Sequence, residues 1–184
     1  MPRHIACLTF DADAMSGLIA RGLTTPTPVS RGEFSKVAVP RILKLLAKYD
    51  VKATFFIPGV VIETYPDFLT TIHEAGHEIG NHSYTHVPPA NLSADKEEKD
   101  LLRASELIEG VTGKKPVGYR SPSFDLSPVT AELLIKHKFL YESSMMGHDH
   151  SPYRVRTGDK VQLEGPVVFG PESRLIEMPV SWNL

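Results

Sequence analysis

Two aspartates two residues apart, two histidines four residues apart and one arginine are the residues of this chain whose types and spacing could do chemistry. Thr9-Phe10-Asp11-Ala12-Asp13 closes the apolar run from Ile5 to Phe10. Carboxylates at i and i+2 of a strand share a face, and at a C-terminal strand end they stand where parallel α/β sheets build their sites. The same pair would serve equally as turn or cap residues. His82-Ser83-Tyr84-Thr85-His86 follows a second strand-like segment. Imidazoles at i and i+4 converge on one metal if the segment makes a helical turn, although this spacing also occurs by chance on solvated surfaces. Gly118-Tyr119-Arg120-Ser121-Pro122 ends a third segment. Arg120 could reach the same mouth and grip a carboxylate bidentately, or it could stand at a surface turn.

His73-Glu74-Ala75-Gly76-His77 matches H-E-x-x-H, the zinc-protease helix pattern. That pattern needs one continuous helix, so that both histidines share a face. Gly76 falls where the periodicity begun at Pro66 stops, and Glu78-Ile79-Gly80-Asn81 has strand character. Gly76 therefore reads as a helix C-cap and His73 as a helix-surface residue. His4, His137, His148 and His150 have no spacing that compels a role. His148-Asp149-His150 lies in a long loop and could meet substrate or only solvent.

Strands and helices alternate around these residues. Val37 to Tyr49 has helical spacing, with Ile42, Leu45, Leu46 and Tyr49 on one stripe. Ala53 to Ile57 reads as a buried strand stopped by Pro58-Gly59, Pro66 opens a helix through Ala75, and His77 to Asn81 is a short strand. Ser93 caps a long helix with Asp95, Glu97 and Glu98 near its start and Leu101, Leu102, Ile108 and Val111 as its buried side. Val117 to Arg120, Phe139 to Tyr141 and Leu175 to Val180 are further strands, and Ser127-Pro128 opens a helix to about Lys138. Repeated β-α units imply a parallel sheet, either doubly wound or barrel-like. Residues 14–35 and 145–173 break the rhythm and read as long functional or mobile loops. Leu175 to Val180 is expected to present an unpaired edge or to be covered by another chain, which favours a homo-oligomer.

The bulk numbers narrow the partners. A net charge of −2 without a basic run argues against nucleic acid and against an anionic membrane surface. With 184 residues, 41% hydrophobic and 23% charged, the chain can build one domain core. No apolar run approaches ~18 residues, so no membrane span is expected. Met1-Pro2-Arg3-His4 leads straight into a strand-like segment without leader character, which makes the cytoplasm the expected location. A single cysteine, Cys7, rules out an intrachain disulfide and is expected as a small buried hydrophobe. The halt at Pro179-Val180-Ser181-Trp182-Asn183-Leu184 suggests that more protein follows.

Taken in order, the three motifs, the strand Ala53-Thr54-Phe55-Phe56 and the segment Tyr141-Glu142-Ser143-Ser144 resemble the polysaccharide deacetylase (NodB-homology) family over nearly the whole chain. The resemblance implies an α/β distorted (β/α) barrel, incomplete at the C-terminus, with residues 1–184 as one catalytic domain. It also implies a divalent metal, zinc above all, on Asp13, His82 and His86, with Asp11 as base and Arg120 orienting it. Pro122 and Trp182 are expected to touch substrate. The family's usual first motif has adjacent aspartates, whereas Ala12 intervenes here. This departure, with the 14–35 insertion, is similar to a subgroup of cyclic-imide and ureide hydrolases and peptidoglycan-deacetylase-like proteins. The family's late L-x-H motif, which supplies a general acid, is not among these residues and is expected beyond Leu184. Three readings follow: hydrolysis of N-acetylated sugars, hydrolysis of small cyclic amides or imides, and a non-catalytic binding protein with a vestigial metal site.

Overall fold

The computed structural model describes residues 5–181. Its strands are β1 (Thr9–Asp11), β2 (Thr54–Ile57), β3 (Glu78–Asn81), β4 (Gly118–Tyr119), β5 (Tyr141–Glu142), β6 (Tyr153–Arg156) and β7 (Glu172–Glu177). They form one sheet in the order β1-β2-β3-β4-β5-β7-β6. Neighbours from β1 to β5, and β5 with β7, run parallel, whereas β6 pairs antiparallel with β7. The sheet is open, with β1 and β6 at its ends.

Seven helices cover it: α1 (Ser16–Ile19), α2 (Pro26–Glu33), α3 (Ser35–Lys48), α4 (Gly59–Thr64), α5 (Pro66–Glu74), α6 (Ala94–Thr112) and α7 (Thr130–Lys136). β2 has buried residues on both faces because the sheet is covered on both. Phe55 and Ile57 pack with Val39, Leu43 and Leu46 of α3, Leu69 and Ile72 of α5, and Ile79 of β3. A second cluster joins Leu101, Tyr119, Leu134, Phe139, Val155 and Leu175. Fully burying each such aliphatic side chain contributes roughly 1.5–3 kcal/mol. The helix ends follow their local chemistry. Ser93 accepts from the Lys96 N–H to cap α6, which stops at left-handed Gly113 with φ 70°.

Several expectations need correction. The buried stripe of α3 is Val39, Leu43 and Leu46, while Leu45 and Tyr49 are 55% and 64% exposed. Both lie on the shoulder of the apolar stripe, and only the sheet decides which part of a wide stripe is covered. For the same reason Leu102 and Val111 of α6 are exposed while Leu101 and Ile108 are buried. Residues 14–35 hold α1 and α2, packed so closely that a Cβ on Gly32 would lie 2.4 Å from the Met15 backbone nitrogen. The 145–173 segment contains β6, which covers β7, so the Leu175 to Val180 region is not an unpaired edge. That removes the edge argument for a homo-oligomer. Cys7 is exposed, because it precedes β1 at an open end of the sheet.

Candidate active site

Asp11 is the last residue of β1, and His82 and Arg120 each directly follow their strands. The parallel register thus gathers all three at one edge of the sheet, with Asn81 paired to Tyr119. The 82–86 segment does not form the helical turn that the i, i+4 spacing suggested. Ser83 and His86 both take left-handed backbone conformations, each at φ 60°, and fold the segment back on itself. The two imidazoles then face each other edge to face, 4.9 Å apart at 80°.

This strained loop is tied down at several points. Buried Asn81 accepts from the Ser83 N–H at 2.8 Å and donates to Leu101 O and Ser105 Oγ. Thr85 donates to Asp100 on α6 at 2.7 Å. Tyr84 donates to Glu63, while the Arg103 guanidinium lies 4.0 Å over the Tyr84 ring. The N–H groups of Gly59 and Val60 donate to Ser83 O and Tyr84 O. Such local strain persists only where surrounding contacts over-determine it.

Asp13 meets both rings. Its Oδ1 lies 3.3 Å from His82 Nε2 and its Oδ2 lies 3.2 Å from His86 Nε2. The histidines are buried and Asp13 is partly open. His82 Nδ1 is 2.7 Å from the Arg120 carbonyl oxygen. A carbonyl only accepts, so Nδ1 carries a proton, and in the neutral ring Nε2 turns a lone pair towards Asp13. Asp13 Oδ1 correspondingly has no hydrogen-bond partner, although His82 Nε2 is nearby. Two imidazole nitrogens and a carboxylate oxygen, ligand types that can hold a cation, lie within 4.8 Å of one another. Burial raises the Asp13 carboxyl, but the adjacent His82 and His86 imidazoles outweigh it and hold it well below the usual range. Burial disfavours the imidazolium at His82, yet Asp13 raises its pKa above the ordinary histidine value.

Asp11, two residues earlier, has a different partner. Arg120 Nη1 donates to Asp11 Oδ1 at 2.8 Å, a single bond rather than the bidentate grip that the arginine fork permits. Its other donors are spent on Ser143 O and Ser143 Oγ, each at 2.8 Å, and on Thr9 Oγ1 at 3.0 Å. Its guanidinium carbon lies 4.3 Å over the Phe56 ring. Arg120 is therefore a fixed cation, buried and held from β1, β2 and β5.

Of the other candidates, Pro122 is buried at the start of a short 3₁₀ turn, and Trp182 and His4 lie outside the described residues. α5 ends at Glu74 and Gly76 takes φ 78°, so His73 and His77 share no helix face. His77 is buried and accepts from the Ala53 N–H. His148, Asp149 and His150 cluster on the exposed surface, but His148 Nδ1 already accepts from the Ser151 N–H. His137 pairs with Glu98.

Reading residue by residue gave no role to Ser143, Thr9, Phe56, Asn81 or Gly17. The signals were present but weak: Thr9 and Ser143 sit inside the quoted motifs. Nothing local marks Gly17, where a Cβ would lie 3.3 Å from His86 Cε1.

The chain is similar to known proteins over most of its length. The polysaccharide deacetylase family model matches residues 1–141. A peptidoglycan deacetylase of Helicobacter pylori is 42% identical over 95% of this chain and 64% of its own length. A peptidoglycan deacetylase-like protein of Gibberella zeae is 35% identical over 96% of this chain and 57% of its own length. This chain thus spans about three fifths of these relatives. A crystal structure of a Mycobacterium smegmatis protein assigned to the polysaccharide deacetylases superposes with a TM-score of 0.79 at 36% identity, over 96% of this chain and 58% of that one. An allantoinase structure superposes with a TM-score of 0.75 at 21% identity, over 95% of this chain and 61% of that one. That second likeness bears on the fold alone. The fold is the α/β, distorted-barrel type of these neighbours, with its sheet open over the described residues.

Proposed function

The chain belongs to the polysaccharide deacetylase family, and from that premise we propose that it is a metal-dependent hydrolase of amide bonds on N-acetylated sugars. The observation that carries the reading is the Asp13–His82–His86 cluster standing beside the Asp11–Arg120 pair. Asp13, His82 and His86 would hold one divalent ion, and a nitrogen, nitrogen, oxygen donor set suits zinc. When bound, such an ion polarises an amide carbonyl and makes water a nucleophile near neutral pH.

The chain's own groups have separate tasks. Asp11 is the base that takes a proton from the attacking water. Arg120 holds Asp11 in place through Nη1, and its remaining bonds keep it from swinging away. His82 keeps its ring orientation through the Arg120 carbonyl, so one residue serves both halves of the site. Water adds to the acyl carbon, the carbon–nitrogen bond breaks, and the nitrogen leaves after gaining a proton. Acetate and an amine are the products.

The test is metal analysis together with a substrate panel of N-acetylglucosamine oligomers, peptidoglycan fragments and cyclic imides. Acetate release from the sugars, lost with a chelator and restored by zinc, is the expected result. Turnover of cyclic imides alone would overturn the sugar reading. Protein that binds no ion and turns over nothing would be a vestigial site. The partner so proposed is the N-acetylated sugar substrate. Among the described residues no helix is long and apolar enough to cross a membrane.

A further inference from the structure

Glu142 and Glu177 are each wholly buried, and they are register partners at the ends of neighbouring parallel strands. Two ionised carboxyls cannot share an enclosed site without a large penalty. The hydrogen bonds identify which of them is the acid. Glu142 accepts from the Ser144 N–H at 3.0 Å and from the Ser144 hydroxyl. Glu177 Oε1 accepts from the Met145 N–H at 3.0 Å, but Glu177 Oε2 faces no donor. Protonation would turn that oxygen into a donor, with Glu142 as its neighbour across the register. Burial first, then Glu142, push the Glu177 carboxyl up to about 11.

What the pair holds is the seat of Arg120. Its bonds fix the backbone N–H groups of residues 144 and 145, just past β5. Ser144 Oγ in turn accepts from the Ser121 N–H at 2.8 Å, next to Arg120. Met178, beside Glu177, donates its N–H to Glu142 O and accepts from Ser143 Oγ. Ser143 lies between these anchors and offers both its carbonyl and its hydroxyl to the guanidinium.

We propose that Glu142 and Glu177 form an acid–carboxylate pair whose two members are positioning residues, setting Ser143 and thereby Arg120 against Asp11. This rests on the reading of Asp11 and Arg120 as working groups in amide hydrolysis. Tyr119 from β4 and Tyr153 from β6 also face the pair, and both phenols are raised above their ordinary value, so they stay neutral below pH 10. From α7, Leu134 packs inward while Glu132 and Lys136 are exposed. Arg120 is the cation on the far side of Ser143.

The sign of the pH effect follows from the raised carboxyl. Stability held by the protonated pair is complete below the ordinary value of 4.5 and is lost as pH rises towards about 11. The experiment compares Glu177→Leu and Glu177→Gln for kcat, KM, zinc content and melting temperature between about pH 5 and pH 9. Glu177→Leu should lower kcat roughly 10–100-fold, with KM and zinc content unchanged. Glu177→Gln keeps a donor towards Glu142 and should restore kcat to within about threefold, while flattening the alkaline fall in melting temperature. If Glu177→Leu does not accumulate as folded protein, Ser143→Ala reads the same link and should lower kcat with zinc retained. Full activity in Glu177→Leu or, where that variant does not fold, in Ser143→Ala would overturn the proposal. So would Glu177→Gln if it is as impaired as Glu177→Leu. If the unsubstituted protein hydrolyses nothing in the panel, the functional reading fails instead. The melting curves then decide the pair alone, and an unchanged pH slope in Glu177→Gln overturns it.

Discussion

Asp11 and Asp13 are two residues apart and end up in opposite kinds of electrostatic environment. Asp13 faces the Nε2 atoms of two imidazoles across gaps of 3.3 and 3.2 Å, a donor set that could hold an exchangeable positive charge. Asp11 faces a guanidinium whose charge is permanent and whose position is fixed by Ser143, Thr9 and Phe56. On the proposed reading, one half of the site would receive a cation, and the other already contains one in Arg120. The interposed Ala12 is buried, and its backbone N–H donates to Phe56 O at 2.9 Å, extending the contact of β1 with β2.

The sharpest break of this contrast is Asp13→Ala. It should abolish zinc binding and lower turnover by at least ~10³-fold, because the ion's chemistry is lost with its seat. Zinc content by elemental analysis, read beside acetate release, checks this, and turnover surviving without metal would erase the distinction. Arg120→Ala should cost turnover roughly 100-fold while zinc content stays near that of the parent. Equal loss of both would make Arg120 a structural support of the whole edge.

Smaller effects sharpen the contrast by acting on the supports. A Cβ on Gly80 would lie 2.4 Å from the Phe56 ring, which carries the guanidinium. Gly80→Ala should therefore cost about 1–3 kcal/mol in urea unfolding and weaken turnover without lowering zinc affinity. Thr85→Val removes one tie between the metal loop and Asp100. It should cost about 1 kcal/mol and appear instead as weaker zinc binding in competition with a chelator. If Gly80→Ala also weakened zinc binding, or Thr85→Val lowered turnover at saturating zinc, the halves would be one unit.

Much of this was legible before any coordinates. The strands before Asp11, His82 and Arg120 were marked by apolar runs and by Gly and Pro stops, and Gly76 was readable as the end of α5. Convergence of His82 and His86 was foreseen, but by the wrong geometry. A helical turn was expected, and two left-handed residues held by Asn81, Thr85 and Tyr84 make the approach instead. Left-handed backbone at Ser83 and His86 is held in part by bonds of Tyr84 and Thr85 to residues 21 and 15 positions away, which residue type at 83 and 86 does not signal.

The sequence by itself determined which residues end the strands, and so which side chains could meet at one edge of a parallel sheet. Local rules suffice for that, since strand ends, caps and breakers act over a few residues. Only the tertiary structure decided who partners whom. Arg120 chooses between its possible acceptors because Ser143 arrives from β5 and Asp11 from β1, 23 and 109 positions away. Glu142 and Glu177 become a pair because β5 and β7 are neighbours, with β6 placed outside them. Neither pairing has a local signal: each side chain looks like an ordinary charged residue until the sheet removes the water around it.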